Sequence, residues 1–196
     1  MDAELEGPSP DVFAGRASVV APRLLGLELW CGSRSGVIVE VEAYEGKHDP
    51  ASHAWKGKTL RNESMFGPGA RAYVYLSYGV HWCMNVVCGP PGEPGAILIR
   101  ALEPRTGIEM MWADRPKARR QTDIASGPGK LTAALGINGS HDGANLLDRS
   151  GPVSLAGSGG SANGVVSGPR IGISRAVDTP WRFAIAANPH VSRPRL

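Results

Sequence analysis

Cysteine is scarce in this 196-residue chain, and nothing in its spacing pairs it. Cys31, Cys83 and Cys88 make an odd number with no Cys-x-x-Cys among them. That argues against a disulfide scaffold and against a cysteine-based zinc site, and it fits a reducing cytoplasm. Long apolar runs are missing too: no stretch approaches the roughly 18 residues of a membrane span. The opening MDAELEGPSP is acidic and polar, unlike a secretory signal. The five histidines are scattered. His48 and His53 share HDPASH, but the second pair needed for a metal site is absent, so no metal is expected. There is no nucleophile elbow either, and so no basis for a Ser-His-Asp reading.

What is present describes a globular protein. Hydrophobic residues make up 42% and charged residues 20%, outside the disordered range. The length suits one domain with a sizeable core. Gly 26 and Pro 16 favour short strands and many loops over a helical bundle. The net charge of +3 permits nucleic-acid binding without demanding it. Its clustering says more: RPKARR (115–120) carries four positive charges and no acid. The expected organisation is a flexible tail over 1–16 and one domain over 17–196. Within that domain the Gly/Ser-rich stretch 156–168 reads as a flexible loop.

Along the chain, 17–26 has helical apolar spacing interrupted by Pro22, which starts or kinks a helix there. Residues 27–46 read as two strands joined by a Gly/Ser turn at 32–36. Residues 47–69 lack periodicity and form a long polar loop, of the kind that is usually functional or disordered. Residues 70–89 are the clearest hairpin, with Gly79 able to supply the positive φ of a tight turn and Tyr78 at or beside the tip. AILIRALEP (96–104) reads as a strand whose apolar run Arg100 interrupts. A short helix follows over 106–115, with Ile108, Met111 and Trp112 on one side. SGPGKLTAALG (126–136) is a turn into a helix that Gly136 can end. RIGIS (170–174) and WRFAIA (181–186) read as closing strands.

Few residues ask for a chemical role. In VIVEVEAYEG (37–46), Val37, Val39 and Val41 alternate toward a core, while Glu40, Glu42 and Tyr44 share the other face with Ile38. Glu42 beside Tyr44 could serve as a general base, although a lone strand glutamate is more often on a solvated face. Glu40 keeps that bland reading, near the surface. Tyr73 and Tyr75 project from one strand face, which propensity alone explains. Tyr78 does not fit that explanation, because turns favour small polar residues and an aromatic at a hairpin tip can wedge into a base stack. Asn85 is unusual in a strand: either it is buried with partners or it reads a ligand's polar edge. SGPGKLT fails the Walker pattern, since Leu131 follows Lys130. A helix start with a lysine beside it can still hold a backbone phosphate.

With these residues set out, the chain resembles the alkyladenine (3-methyladenine) DNA glycosylase family. The resembling stretches are VEVEAYEG, ASHAWKGKTLRNESMFGPG, YVYLSYGVHWCMNVVCG, AILIRALEP, SGPGKLTAALGI and RIGIS…WRFAIAANPHVSR, in the family's order from about residue 17 onward. The resemblance implies a mixed α+β domain, a curved antiparallel sheet that is partly open and barrel-like, with peripheral helices and a protruding hairpin. It implies a monofunctional enzyme that flips alkylated or deaminated purines out of duplex DNA and hydrolyses the N-glycosidic bond. Candidate lesions are 3-methyladenine, 7-methylguanine, hypoxanthine and ethenoadenine.

By the same resemblance Glu42 activates water and Arg100 helps to hold it. Tyr44, His53 and Tyr75 form the base pocket, Asn85 screens purines at its floor, Tyr78 intercalates, and Lys130 contacts a phosphate. No cofactor and no metal are implied. The expected partner is damaged double-stranded DNA, met as a monomer in the cytoplasm, or at the nucleoid if the source is bacterial, with no membrane involved. His81 departs from the vertebrate pattern, which has an aromatic there. Two other readings compete: a non-catalytic DNA-binding protein, and an N-glycoside hydrolase of free nucleosides.

Overall fold

The computed structural model describes residues 6–159 and 162–196. A single α-helical turn, α1 (Ala17–Val20), runs into a 3-10 turn over Ala21–Leu24, with Pro22 in its first turn, where no N–H is missed. β1 (Glu28–Cys31) and β2 (Arg34–Tyr44) then form a hairpin through Gly32, whose φ is 56°. The aperiodic stretch that follows contains only 3-10 turns, at Gly46–His48 and Leu60–Phe66.

β3 (Ala72–Ser77) and β4 (His81–Cys88) make the second hairpin, and β5 (Gly95–Thr106) follows. Three short helices come next: α2 (Ile108–Asp114), α3 (Gln121–Ile124) and α4 (Pro128–Leu135). Gly136 ends α4 with φ 76°, a left-handed value that costs glycine nothing. β6 (Val153–Ala156), β7 (Val165–Gly168) and β8 (Arg182–Ile185) complete the chain.

All eight strands join one antiparallel sheet of order β3-β4-β5-β2-β1-β6, with β8 pairing β2 and β7 pairing β8. β3 and β6 do not pair with each other, so the sheet stays open and does not close into a barrel. The fold is therefore the mixed α+β class with peripheral helices. The β3–β4 hairpin protrudes, and Tyr78 at its tip is 91% exposed. Tyr78 and Gly79 both have positive φ (50° and 69°), the combination that lets a tight turn follow the strands' right-handed twist. Helix residues Met111, Leu131, Ala134 and Leu135 share one core with Ile38, Val41, Ala43, Ile97 and Ile99 of the sheet. Each large apolar side chain sealed there contributes about 1.5–3 kcal/mol.

β2 departs from simple alternation. Its register against β5 slips on both sides of Glu40, so Val39 on β2 and Arg100 on β5 are each left without a partner. Such bulges redirect side chains. Ile38, Val41 and Ala43 consequently face the main core, whereas Val39 joins a smaller cluster with Ala101, Ala184 and Val191. The strict Val37-Val39-Val41 pattern expected from the sequence is thus broken at its centre. Glu40 is fully buried and not near the surface, because β5 and β8 cover it from both sides.

One further reading changes, and two stretches expected to be flexible carry local structure. RIGIS is not a strand: Gly172 has φ 76°, and the Ile171 N–H is spent on a carboxylate instead of a ladder. The stretch 156–168 is bounded by structure, since Ala156 ends β6 and Val165–Gly168 is β7; residues 160 and 161 lie outside the described residues. Within the expected tail, Pro10–Phe13 forms a 3-10 turn and Phe13 is buried in the main core. Residues 1–5 lie outside the described residues.

Candidate active site

A cleft of about 690 Å³ opens beside the β3–β4 hairpin. The chain has four tyrosines, and all of them (Tyr44, Tyr73, Tyr75 and Tyr78) line it. Tyr73 and Tyr75 share a face of β3, as period-two alternation requires, and their rings stack with centroids 5.3 Å apart. His53 comes from the long polar stretch. It meets Tyr75 edge-on at 4.5 Å between centroids, and its Nδ1 lies 3.0 Å from the Tyr73 hydroxyl. Packing among these rings, with the charge of Arg61, lowers the His53 pKa and keeps the imidazole neutral at neutral pH. Burial pushes the Tyr73 phenol up to about 12 and raises those of Tyr44 and Tyr75 further, so all three are neutral hydroxyls.

Behind this wall lies a charged layer. Glu42 is fully buried and does not itself line the cleft. Its Oε2 accepts from the Tyr44 hydroxyl at 2.9 Å. Its Oε1 accepts from the Ile171 N–H at 2.7 Å and lies 3.3 Å from Arg100 Nη1. A carboxylate has about four acceptor sites, so one site on Oε2 stays free among the described residues. Burial raises the Glu42 pKa, opposed by Arg100, the Ile171 N–H and Tyr44. Arg100 also donates from Nε to Glu40 Oε1 at 3.2 Å. Its Nη2 makes no bond among the described residues, and the side chain borders the cleft.

A second buried pair fixes the far wall. Arg170 donates twice to Asp49, and both side chains are wholly buried. Arg170 also donates to the Ala43 carbonyl at 2.9 Å, and its guanidinium sits over the rings of Tyr44 (4.7 Å) and Trp181 (5.2 Å). That arrangement covers one face of Tyr44 and delivers Ile171 to Glu42.

The cleft therefore brings together Tyr44, His53, Tyr75, Tyr78, Asn85 and Arg100, with Glu42 just beneath. Asn85 is buried with a partner: its Nδ2 donates to the Tyr73 carbonyl at 3.0 Å, and the residue lines the cleft. Lys130 does not join them. It is exposed on the first turn of α4, whose Pro128 reaches the cleft, and its Nζ lies 3.4 Å from Ser126 Oγ. Glu40, Asp49, Arg170 and Ile171 were not foreseen, nor were Arg61 and Arg175 in the cleft wall. Ile171 acts through its backbone, which residue type cannot reveal. Arg170 could have been suspected as a charge inside an otherwise apolar-patterned segment.

The cleft thus sets aromatic side chains and the exposed Tyr78 above a buried carboxylate. The chain belongs to the methylpurine-DNA glycosylase family, enzymes that hydrolyse N-glycosyl bonds in DNA; the family model matches residues 11–189. A Burkholderia lata protein provisionally named a 3-methyladenine DNA glycosylase is 47% identical over 188 residues, covering 94% of this chain and 91% of its own length. Proteins of the same name from Agrobacterium fabrum and Frankia casuarinae are 48% and 44% identical. They cover 94% and 98% of this chain, and 94% and 97% of their own lengths.

Proposed function

We propose that this glycosylase is monofunctional and uses Glu42 to activate the water that attacks C1′ of a flipped, damaged purine nucleotide. The observation that carries the reading is the Glu42 carboxylate: buried, held by Tyr44, Ile171 and Arg100, with one acceptor site left. A water bound there gives its proton to Glu42 as its oxygen bonds to C1′, and the C1′–N electron pair leaves with the base. Arg100 steadies that water through its unused Nη2. Glu42 is closed off in the free protein, so a small local shift of the cleft lining admits the water.

Tyr44, Tyr75 and His53 enclose the base, and Asn85 discriminates among purines at the floor. Purine nucleotides alkylated at N3 or N7 are cationic, and each electron-rich ring face attracts them by about 0.5–2 kcal/mol. Such a base departs neutral, so for those lesions one carboxylate and a held water suffice, whereas neutral hypoxanthine and ethenoadenine also take up a proton from solvent as they leave. The substrates are 3-methyladenine, 7-methylguanine, hypoxanthine and ethenoadenine, in an order that the pocket's polar edge sets. Tyr78 fills the gap left by the flipped nucleotide, offsetting part of an unstacking cost of a few kcal/mol. Lys130, Arg61 and Arg175 meet phosphates. The enzyme acts as a monomer.

The test is base release from duplexes that each carry one lesion, with Glu42→Gln beside the wild type. Release should fall by about 10²–10⁴-fold while damaged duplex is still bound. Wild-type release by the variant would end the assignment.

A further inference from the structure

We infer that Glu40 is a positioning residue of this site: it holds the Arg100 guanidinium so that Arg100 spans two carboxylates and still presents a free N–H edge to the cleft. The inference rests on the reading of Glu42 as the base. Glu40 is buried to 0% exposure and accepts four hydrogen bonds. Oε1 takes Arg100 Nε (3.2 Å), Arg182 Nε (2.6 Å) and Ser192 Oγ (2.9 Å), and Oε2 takes the Ser192 N–H (2.7 Å). Of the groups bonded to Glu40, only Arg100 lines the cleft. The effect of Glu40 can only pass through its partners.

The geometry says which partner matters. Arg100 is the bulged residue of β5, so no cross-strand neighbour fixes its direction, and its Nε bond to Glu40 supplies that constraint. Arg182 is directly opposite Glu42 in the β2–β8 register yet gives its Nε to Glu40. Its Nη2 goes to the carbonyls of Ser192 (3.2 Å) and Pro194 (2.7 Å). Two carboxylates and two guanidiniums balance, and Glu40 keeps both arginines from collapsing onto Glu42. Without its charge, Arg100 would turn to pair fully with Glu42, the remaining carboxylate.

The consequence has a direction. The charged and titratable groups around Glu42 are Glu40 and Tyr44 on β2, Arg100 on β5, Arg182 on β8, Arg170 in the far wall, and Tyr75 on β3. Glu40 is a like charge that raises the Glu42 pKa, and Arg100 lowers it. Neutralising Glu40 removes the first effect and strengthens the second, so both changes move Glu42 downward.

The experiment compares wild type, Glu40→Gln, Glu40→Asp and Glu42→Gln in single-turnover release from duplex carrying methylated purines, across pH, with damaged-duplex affinity and thermal unfolding measured in parallel. Glu40→Gln should release base about tenfold to a hundredfold more slowly, bind damaged duplex within about twofold of wild type, and have its acid limb at lower pH. Glu40→Asp should restore the wild-type limb, because it restores the charge. A folded Glu40→Gln with wild-type rate and limb overturns the inference. So does a slower variant whose limb has not moved, which would mark ordinary structural damage. If Glu40→Gln does not fold, Glu40→Asp decides. Slower release, from the shortened reach to Arg100, with wild-type affinity supports the role, and an unchanged rate overturns it. A Glu42→Gln variant that releases base normally removes the underlying reading. An inactive Glu42→Gln beside an unaffected Glu40→Gln removes the positioning role alone.

Discussion

Arg170 and Asp49, 121 positions apart in sequence, form a wholly buried two-bonded ion pair, and the residue after Arg170 donates its N–H to Glu42. A segment that lacks strand pairing is thereby fixed against the central strand of the sheet. Rigidity at this wall comes from one ion pair, two aromatic faces, the Arg170 bond to the Ala43 carbonyl and the Ile171 N–H bond to Glu42.

Asp49→Asn should therefore be severe. It leaves the Arg170 guanidinium buried with no counter-charge, a change that typically costs about 3–5 kcal/mol. Denaturant unfolding measures the loss, and base release should fall with it because Ile171 is freed. A variant within 1 kcal/mol of wild type would mean that water reaches the pair.

Tyr78→Ala should separate stability from function. Its side chain is 91% exposed, so unfolding should shift by no more than about 0.5 kcal/mol. Loss of a stacking aromatic is worth about 1–3 kcal/mol, hence roughly 5–150-fold in damaged-duplex affinity. Retained duplex affinity and release would remove the intercalating role of Tyr78.

The pH profile of base release should have an acid limb that belongs to Glu42. Burial raises its pKa, so the rate should fall with a midpoint above the usual carboxylate value of about 4.3. The same shift affects folding. A raised native pKa means that the folded chain keeps a proton over a window where the unfolded chain has lost it. Glu42's contribution to stability is thus present below the unfolded pKa and lost as pH rises through the folded one. Relative to wild type, Glu42→Gln should gain stability as pH rises through that window. Parallel stability curves would contradict the shift.

Gly46→Ala tests a close approach just past the site. A Cβ there would fall 1.9 Å from the Pro94 carbonyl oxygen, and φ is 57°. Overpacking and left-handed backbone together should cost about 2–5 kcal/mol, read as a lowered unfolding midpoint with the m-value unchanged. Gly32→Ala, where nothing lies within 4 Å, should pay only the backbone cost of about 1–2 kcal/mol.

Much of this site was legible because its cues are local. Alternation puts Tyr73 and Tyr75 on one face, Gly79 permits the turn that exposes Tyr78, and Gly136 ends α4. Glu40 was misread because period two cannot register a bulge, and because its two arginines lie 60 and 142 positions away. RIGIS was read as a strand from its β-branched alternation, while its actual partners are a distant aspartate and a carboxylate. Charged groups buried by tertiary pairing look like surface groups in sequence.

Concentrating every tyrosine at one cleft gives the protein a built-in chemical footprint. An iodinating or nitrating reagent that modifies phenols should meet Tyr78 first, since Tyr73 is buried and Tyr44 and Tyr75 are half-buried. The chain holds no tyrosine elsewhere to confuse the pattern. Mapping modified peptides with and without bound duplex would therefore report occupancy of the cleft residue by residue, without any substitution in the chain.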